Sequence, residues 1–252
     1  MLRALEGLDL GAGVGASCVA VPPQLVVAGD ARAVGAAVRA SGLVYPLLAK
    51  PLLADGSALS HALALVYDEA GLARLAGGEV AGLRPPCVLQ QFVDHGGCIF
   101  KVYCVGDAVS LTRRRSLPDQ APPLPPGLAT LERISTLGAL ARQPEGPPPL
   151  APAAAAVPEP PEGFVRALAA ALQTRLGLQL FNFDLIRPAG HPDTFLVVDI
   201  NYFPGIAKMP GYEAVFADFL CAAAEKSRES ARLREGGQSL SPQPVLVGGT
   251  IE

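Results

Sequence analysis

The hydrophobic residues of this chain follow helical spacing in three segments. Residues 31–41, ARAVGAAVRAS, carry their apolar side chains on one face, and Gly42 ends this small amphipathic helix. A second helix is predicted over residues 163–177. Its apolar residues recur at every fourth position: Phe164, Leu168, Leu172 and Leu176. A third helix is predicted over roughly residues 211–233.

Several other segments have the composition of strands. They are residues 18–30 (a short strand and a turn), 44–53, 60–76 (a strand and then a helix), 88–93, 98–115, 178–188 and 193–203. Within residues 98–115, Gly106-Asp107 is a standard hairpin signal. The mixture of helices and strands predicts an α+β fold.

The composition changes at residues 118–161, which contain 13 of the chain's 25 prolines. A segment so rich in proline is not expected to pair as a sheet or to continue as a helix. We therefore expect a long, mobile surface insertion here. The tail, residues 234–252, is expected to be disordered.

Length and charge limit the class of protein. A chain of 252 residues can bury a sizeable core, and 50% hydrophobic with 17% charged residues fits a soluble globular protein. The net charge of -3 gives no electrostatic reason to expect a nucleic acid partner. No apolar run is long enough to span a membrane, and the N-terminus lacks the basic and apolar regions of a signal peptide.

The five cysteines and the few lysines are also informative. The cysteines are odd in number and scattered, which disfavours a disulfide framework or a zinc site and favours a reducing compartment. Only four of the 20 basic residues are lysines, so each is a candidate for a place that requires a compact point charge. They are Lys50, Lys101, Lys208 and Lys226.

Acidic residues lie on the two strands that precede the last helix. Asp199 and Asn201 are two residues apart on one strand, so they share a face. If that strand pairs antiparallel with residues 179–187, Asp184 lies near both. Such hard oxygen ligands suit Mg²⁺, which also takes waters and substrate phosphates. A set of solvated polar side chains at a strand end is the alternative.

A lysine and a glycine turn follow the strand at residues 44–53. Lys50 ends its apolar part, and Asp55-Gly56-Ser57 and His61 come just after it. A lysine at a strand end can meet nucleotide phosphates, and the turn offers free backbone N–H groups. The alternative is an ordinary hairpin with a solvated lysine.

A second basic segment begins at Gln90-Gln91. The backbone beside this pair could hydrogen-bond the edge of an adenine, and His95-Gly96-Gly97 is expected to be a flexible turn before Lys101. Residues 113–115 are three consecutive arginines, which we expect to form a cluster suited to oxyanions. A solvated basic patch is the alternative.

Taken together, these segments resemble the inositol-tetrakisphosphate 1-kinase family of plant type, which also contains the inositol 1,3,4-trisphosphate 5/6-kinases. The matching stretches are LLAKPLLADGSALSH, VLQQFVDHGGCIFKVYCVGD, RRRSLPD, LGLQLFNFDLIR and VVDINYFPGIAKMPGYE, in this order. The resemblance implies an ATP-grasp fold, in which ATP lies between two β-rich lobes and Mg²⁺ bridges its phosphates.

The resemblance also implies a role for individual residues. The residues matched to ATP binding are Lys50, Gln90, Gln91, Phe92, Val93, Ser116 and Ser135. Those matched to the inositol phosphate are His61, Lys101, Arg114, Asn201, Gly205 and Lys208. Those matched to magnesium are Asp184, Asp199 and Asn201.

The resemblance implies boundaries and one departure. We expect a linker at residues 1–18, the central ATP-grasp lobe at 19–93, and the C-terminal lobe at 94–233, with the proline-rich insertion inside it. From the resemblance we also expect this chain to lack the family's N-terminal domain, which supplies further lysines to the substrate.

The expected function is therefore a Mg-ATP-dependent kinase of inositol tris- and tetrakisphosphates. Two alternatives stay open: a catalytically weak relative that binds nucleotide, and an ATP-grasp carboxylate–amine ligase. We expect a monomer in the cytoplasm, or in the nucleus, without a nucleic acid or membrane partner.

Overall fold

The structure is a computed structural model that describes residues 2–10, 17–52, 59–131, 152–202, 209 and 211–237. The chain divides into two compact units, Met1–Pro204 and Gly205–Glu252. The larger unit contains two five-stranded sheets, here called sheet I and sheet II.

Sheet I is antiparallel throughout, with the order β2-β5-β3-β4-β8. Its strands are β2 (Gln24–Val27), β3 (Leu47–Pro51), β4 (Leu63–Val66), β5 (Cys87–Gln91) and β8 (Leu128–Leu131). Two helices cover one face: α1 (Ala31–Ser41) and α2 (Glu69–Ala76). The helix predicted at residues 31–41 is thereby confirmed.

The core of sheet I forms where alternate strand residues meet the apolar stripes of the two helices. Leu47 and Ala49 of β3 are fully buried there, against a cluster that includes Val34 and Leu72. The residues between them, Leu48 and Lys50, are on the opposite face of the strand. Among the described elements, α1 and α2 therefore leave the opposite face of sheet I uncovered.

Sheet II has the order β1-β10-β9-β6-β7 and is antiparallel except for the β1–β10 pair. Its strands are β1 (Cys18–Ala20), β6 (Cys98–Val105), β7 (Ala108–Arg115), β9 (Leu180–Ile186) and β10 (Thr194–Asn201). The hairpin predicted at Gly106-Asp107 joins β6 and β7 as expected.

Helix α4 (Glu162–Leu176) covers one face of sheet II, after a short helix α3 (Pro152–Ala156). Its predicted stripe is confirmed, because Phe164, Leu168 and Leu172 are buried against the phenylalanines of the sheet. Residues 2–10, within the expected linker, also pack against this core, and Arg175 donates to the carbonyl oxygens of Glu6 and Gly7 at 2.7 and 3.0 Å.

Replacing Leu168 by Ala tests this packing. Leu168 is fully buried between α4 and sheet II, and its removal leaves a cavity. We expect the free energy of unfolding to fall by about 2–5 kcal/mol, measured by urea denaturation. The matched control is Leu220→Ala, because Leu220 is 50% exposed. Similar losses in the two variants would contradict the packing described here.

Two expectations about the secondary structure were wrong. Residues 18–30 hold two strands, β1 and β2, which belong to different sheets. The proline-rich insertion contains a strand and a helix, because residues 128–131 carry no proline and pair with β4, while Pro152 stands at the first position of α3. Residues 132–151 lie outside the described part of the chain.

The approach of β8 to sheet I depends on one glycine and one aspartate. Asp68 caps α2 by accepting from the Gly71 N–H at 2.7 Å, and its second oxygen accepts from the Gly127 N–H at 2.8 Å. A Cβ at Gly71 would lie 2.1 Å from the Gly127 carbonyl oxygen, so only glycine fits there. These contacts place β8 beside β4.

The smaller unit contains α5 (Tyr212–Gly237), which confirms the predicted last helix. Tyr212, Phe216 and Phe219 form a row of rings along it, with centroid distances of 5.2 and 6.2 Å. Residues 238–252, which include most of the expected disordered tail, lie outside the described residues. No helix in the described ranges is long and apolar enough to cross a membrane.

Candidate functional site

The face of sheet II opposite α4 carries three rows of side chains, because paired residues on neighbouring antiparallel strands share a face. The central row is charged and consists of Asp199, Asp184 and Lys101. The row on one side is apolar and consists of Leu196, Ile186 and Ile99. The row on the other side is polar and uncharged and consists of Asn201, Asn182 and Tyr103.

A β-bulge in β10 makes this arrangement possible. Val197 pairs with Leu185 on the core face, whereas Asp199 pairs with Asp184 on the open face, and Val198 is the additional residue between them. Without the bulge, strict alternation would put Asp199 on the same face as Phe195 and Val197, which are fully buried in the core. The predicted approach of Asp199 and Asn201 to Asp184 is correct, but it requires this shift.

Lys101 neutralises part of the negative charge of Asp184 and Asp199. Lys101 Nζ donates to Asp184 Oδ1 at 2.7 Å, and both side chains are mostly buried, with 16% and 17% of their surface exposed. Burial raises the pKa of Asp184, Lys101 lowers it, and Asp199 raises it further. The carboxylate pair therefore attracts positive charge.

Asn201 completes a set of oxygen donors beside the aspartates. Its amide nitrogen donates to Asp199 Oδ2 at 2.8 Å and to Asn182 Oδ1 at 3.3 Å, which leaves its Oδ1 as an acceptor. Among the residues that the structure describes, no group of three His, Cys, Asp or Glu side chains could hold a metal ion. Two carboxylates and one amide oxygen instead fit a hard cation that takes its other ligands from water or a phosphate.

Lys50 joins the open face of sheet I to the bulge of sheet II. Its Nζ donates to Gln90 Oε1 at 2.8 Å and to the carbonyl oxygen of Val198 at 3.0 Å. Burial lowers the pKa of Lys50, while Asp199 and Asp184 oppose that shift. The two open faces therefore adjoin at a cleft with a lysine on one wall and two aspartates on the other.

The hinge, residues 90–93, connects the end of β5 to the loop before β6. Gln90 is buried and bridges Lys50 to Gln24, to which its Nε2 donates at 3.1 Å. The backbone N–H groups of Gln91 and Phe92 donate to the carbonyl oxygens of Pro23 and Pro46 at 2.8 and 3.0 Å. These bonds fix the path of the hinge along the cleft.

His95 is a buried connection between the hinge and the end of β7. Its Nδ1 lies 2.7 Å from the carbonyl oxygen of Val93, and its Nε2 lies 2.7 Å from Ser116 Oγ. Its backbone N–H donates to Asp119 Oδ1, also at 2.7 Å. The glycines after it do form the expected turn, with φ of 67° and 64° at Gly96 and Gly97. The sequence did not reveal that the imidazole is buried.

The pKa of His95 predicts how stability depends on pH. Burial lowers this pKa, and the Val93 carbonyl, Asp119 and Asp94 oppose the shift. Because the folded-state pKa lies below the unfolded value of about 6.5, the unfolded chain binds a proton first as the pH falls. The contribution of neutral His95 is therefore complete above about pH 6.5 and decreases below it.

We expect the free energy of unfolding to decrease between pH 7 and pH 5, with up to about 1.4 kcal/mol per pH unit from His95. Urea denaturation across this range measures it. The variant His95→Asn lacks this titration and should show a shallower slope, while His61 and His191 remain in both proteins. Equal slopes would show that His95 does not have this role.

The three arginines at residues 113–115 do not form the expected oxyanion cluster. Side chains alternate along β7, so Arg113 lies on the core side, where it donates to the Ala155 carbonyl at 2.6 Å and stacks over Phe100. Arg114 pairs with Ile99 and lies on the same face as Lys101, and Arg115 is exposed at the strand end. Only Arg114 is placed on the open face.

A pocket of about 410 Å³ lies at the hinge end of the apolar row. Val93 lines it from the hinge and Asp94 from the residue after it. The other lining residues are Pro188, Ala189 and His191 of the β9–β10 connection and Thr194 and Leu196 of β10. Of the four hinge residues predicted to line an adenine, Val93 is the one in contact with this pocket. The volume is within the range of small-molecule sites.

The remaining predicted residues lie at the edge of this arrangement or outside the described chain. His61 is exposed in a 3-10 turn, Leu59–His61. Asp55, Gly56, Ser57, Ser135, Gly205 and Lys208 lie outside the described residues.

Comparison with known proteins identifies the family. A family model, the inositol 1,3,4-trisphosphate 5/6-kinase ATP-grasp domain, matches residues 15–222. Inositol-tetrakisphosphate 1-kinase 3 of Arabidopsis thaliana is 44% identical over 220 residues, which cover 86% of this chain and 58% of the relative. Inositol-tetrakisphosphate 1-kinase 1 of Zea mays is 43% identical over 242 residues, which cover 94% and 67%. The chain thus spans less than two thirds of the Arabidopsis relative.

Comparison with solved structures agrees on the fold. A RimK-domain ATP-grasp protein of Sphaerobacter thermophilus matches with a TM-score of 0.50 at 18% identity, covering 86% of this chain and 64% of that chain. At this identity the likeness shows the fold alone, which is the predicted ATP-grasp fold of two β-rich parts around a cleft. From the match over residues 15–222, the chain belongs to the family of inositol 1,3,4-trisphosphate 5/6-kinase ATP-grasp domains.

Proposed function

We propose that this chain is a Mg-ATP-dependent kinase of inositol polyphosphates. The observation that carries the proposal is the cleft at which Lys50 of sheet I meets the row of Asp199, Asp184 and Lys101 on sheet II. A catalyst of phosphoryl transfer requires little covalent chemistry from the protein and much charge neutralisation and positioning. The lysines and aspartates of this cleft are suited both to charge neutralisation and to positioning.

The nucleotide base is assigned to the apolar row and the hinge pocket. Leu196, Ile186 and Ile99 provide an apolar floor, in which Leu196 and Ile186 are 9% and 4% exposed, and none of the three belongs to either core cluster. The pocket beside Val93 continues that floor toward the hinge. A planar base on this floor would place its phosphates over the adjacent charged row, within reach of Lys50.

The metal is assigned to Asp184, Asp199 and Asn201. Their oxygen atoms lie on one face of neighbouring strands, and hard oxygen donors favour Mg²⁺ over softer metals. When bound, the cation would neutralise part of the negative charge of the ATP phosphates. Burial raises the pKa of Asp184 and the neighbouring Asp199 raises it further, so a cation bound here would stabilise the charged form of Asp184.

The acceptor phosphates are assigned to Lys101 and Arg114, which lie on the open face of sheet II. Both can form charge-assisted hydrogen bonds to phosphate. Family resemblance adds His61, Gly205, Lys208 and the side chain of Asn201 to this group, and it adds Ser116 and Ser135 to the nucleotide group. These residues would orient the acceptor hydroxyl toward the terminal phosphate of ATP.

An ADP-release assay with purified chain, Mg-ATP and inositol 1,3,4-trisphosphate tests the proposal. The bond from the terminal phosphorus to the bridging oxygen breaks, a bond to the ring hydroxyl forms, and the hydroxyl proton is released. We expect ADP and a tetrakisphosphate in equal amounts without any amine in the assay. Unphosphorylated inositol should give no ADP. ADP release that required a carboxylate and an amine would identify a ligase instead. Binding of ATP without transfer would identify a nucleotide-binding relative.

A further inference from the structure

Tyr103 on β6 carries a buried hydroxyl group that the site as described above does not use. Its side chain is fully buried, and among the residues that the structure describes its hydroxyl has no hydrogen-bond partner. A phenol hydroxyl can donate one hydrogen bond, and leaving it buried and unpaired opposes folding. A buried polar group in this condition therefore requires an explanation.

The register of β6 places Tyr103 beside the charged row. Tyr103 follows Lys101 by two residues, so both are on the open face of sheet II. It pairs with Asn182 of β9, next to the pair of Lys101 and Asp184. Tyr103 therefore lies on the side of the charged row that is opposite to the apolar row.

Two charged side chains of opposite sign act on the Tyr103 hydroxyl. Burial raises the pKa of Tyr103, Arg114 lowers it, and Asp184 raises it. The strand register agrees, because Arg114 and Tyr103 are on the same face of the β6–β7 pair. Together with Lys101, this face carries three hydrogen-bond donors, and phosphate oxygens accept strongly from such groups.

The order of the rows indicates which phosphate Tyr103 would meet. The proposed function places the base over the apolar row and the metal and the ATP phosphates over the charged row. The polar row on the far side is then nearest to the acceptor. Lys101 and Asp184 keep 16% and 17% of their surface exposed, so a ligand can approach Tyr103 from the charged row.

We propose that the Tyr103 hydroxyl donates a hydrogen bond to a phosphate group of the inositol polyphosphate acceptor, together with the cations Lys101 and Arg114. This inference rests on the proposed function, since it presupposes an inositol phosphate in the cleft. It adds a neutral donor to the acceptor site and explains why this hydroxyl is unpaired in the protein without a ligand.

The test compares wild type and Tyr103→Phe by isothermal titration calorimetry with inositol 1,3,4-trisphosphate, in the presence of Mg²⁺ and a non-hydrolysable ATP analogue. Phenylalanine keeps the ring and removes only the hydroxyl group. We expect Tyr103→Phe to bind the trisphosphate at least about 10-fold more weakly, as for a hydrogen bond to a charged group. Its affinity for the ATP analogue should equal that of wild type.

Three bisphosphates, each without one of the three phosphates, show whether the contacted group is a phosphate. They are inositol 1,3-, 1,4- and 3,4-bisphosphate. For the one that lacks the contacted phosphate, wild type and Tyr103→Phe should have equal affinity. A similar difference between the two proteins for all three bisphosphates would overturn the inference, and so would equal affinity for the trisphosphate. Failure of wild type to bind the trisphosphate would instead remove the proposed function.

Urea denaturation without ligands separates a binding role from a structural one. Removing an unpaired hydroxyl should leave the midpoint of unfolding of Tyr103→Phe unchanged or higher. A lower midpoint, or a variant that does not fold, would show that the hydroxyl has a partner in the free protein and would overturn the inference. Tyr45→Phe is the matched control for binding, because Tyr45 packs against the core of sheet I, and it should bind the trisphosphate as wild type does.

Discussion

Replacing Asp199 by Ala is expected to reduce kcat by about 10²- to 10³-fold, as for the loss of a principal electrostatic group in an active site. Asp199 lies opposite Asp184 on β9, and its Oδ2 holds the amide of Asn201. Its removal therefore takes away one proposed metal ligand and releases a second. Steady-state ADP release at saturating Mg²⁺ measures the effect.

The same variant should fold with little change in stability. Asp199 is exposed, and its repulsion of Asp184 and its attraction to Lys50 oppose each other. Thermal unfolding measures this. Asp193→Ala is the matched control for activity, because Asp193 is an exposed acid immediately before the same strand. Retention of wild-type activity by Asp199→Ala would eliminate the metal assignment.

Replacing Lys50 by Met is expected to have the second largest effect, on the affinity for ATP. The ammonium group of Lys50 is held by Gln90 and Val198 at the junction of the two sheets, so it is oriented before a ligand arrives. Each charged hydrogen bond to a phosphate contributes about 1.5–3 kcal/mol, which corresponds to a loss of roughly 10- to 150-fold per bond. Titration of Mg-ATP measures this loss.

Lys226→Met is the matched control for Lys50→Met, because Lys226 is exposed on α5 and the same charge is removed. It should bind Mg-ATP as wild type does. If Lys50→Met bound equally well, the lysine would be a structural link between the sheets and would not contact the phosphates.

Much of the acidic half of the site could be predicted from sequence, because strand alternation is a local rule. The spacing of Asp199 and Asn201 predicted a shared face, and antiparallel pairing then required Asp184 to lie nearby. The bulge at Val198 was missed. The sequence does contain a signal for this bulge. In a strand without a bulge, Asp199 would share a face with Phe195 and Val197, whose apolar side chains must be buried.

The other half of the site depends on contacts that sequence patterns do not encode. The burial of His95 arises from packing of the hinge loop against the end of β7, and a histidine before two glycines gives no sign of it. Alternation in β7 could have shown that Arg113 and Arg114 point to opposite faces. The strand β8 was missed because the prolines on both sides obscured four residues that pair.

The most direct test of the account is titration of the purified chain with Mg-ATP, followed by titration with inositol 1,3,4-trisphosphate in the presence of a non-hydrolysable ATP analogue and Mg²⁺. The account predicts one nucleotide per chain, bound only with Mg²⁺ and at least about 10-fold more weakly in Lys50→Met, and then binding of the inositol phosphate. Nucleotide binding that did not depend on Mg²⁺ or on Lys50, or no binding at all, would contradict the proposed site.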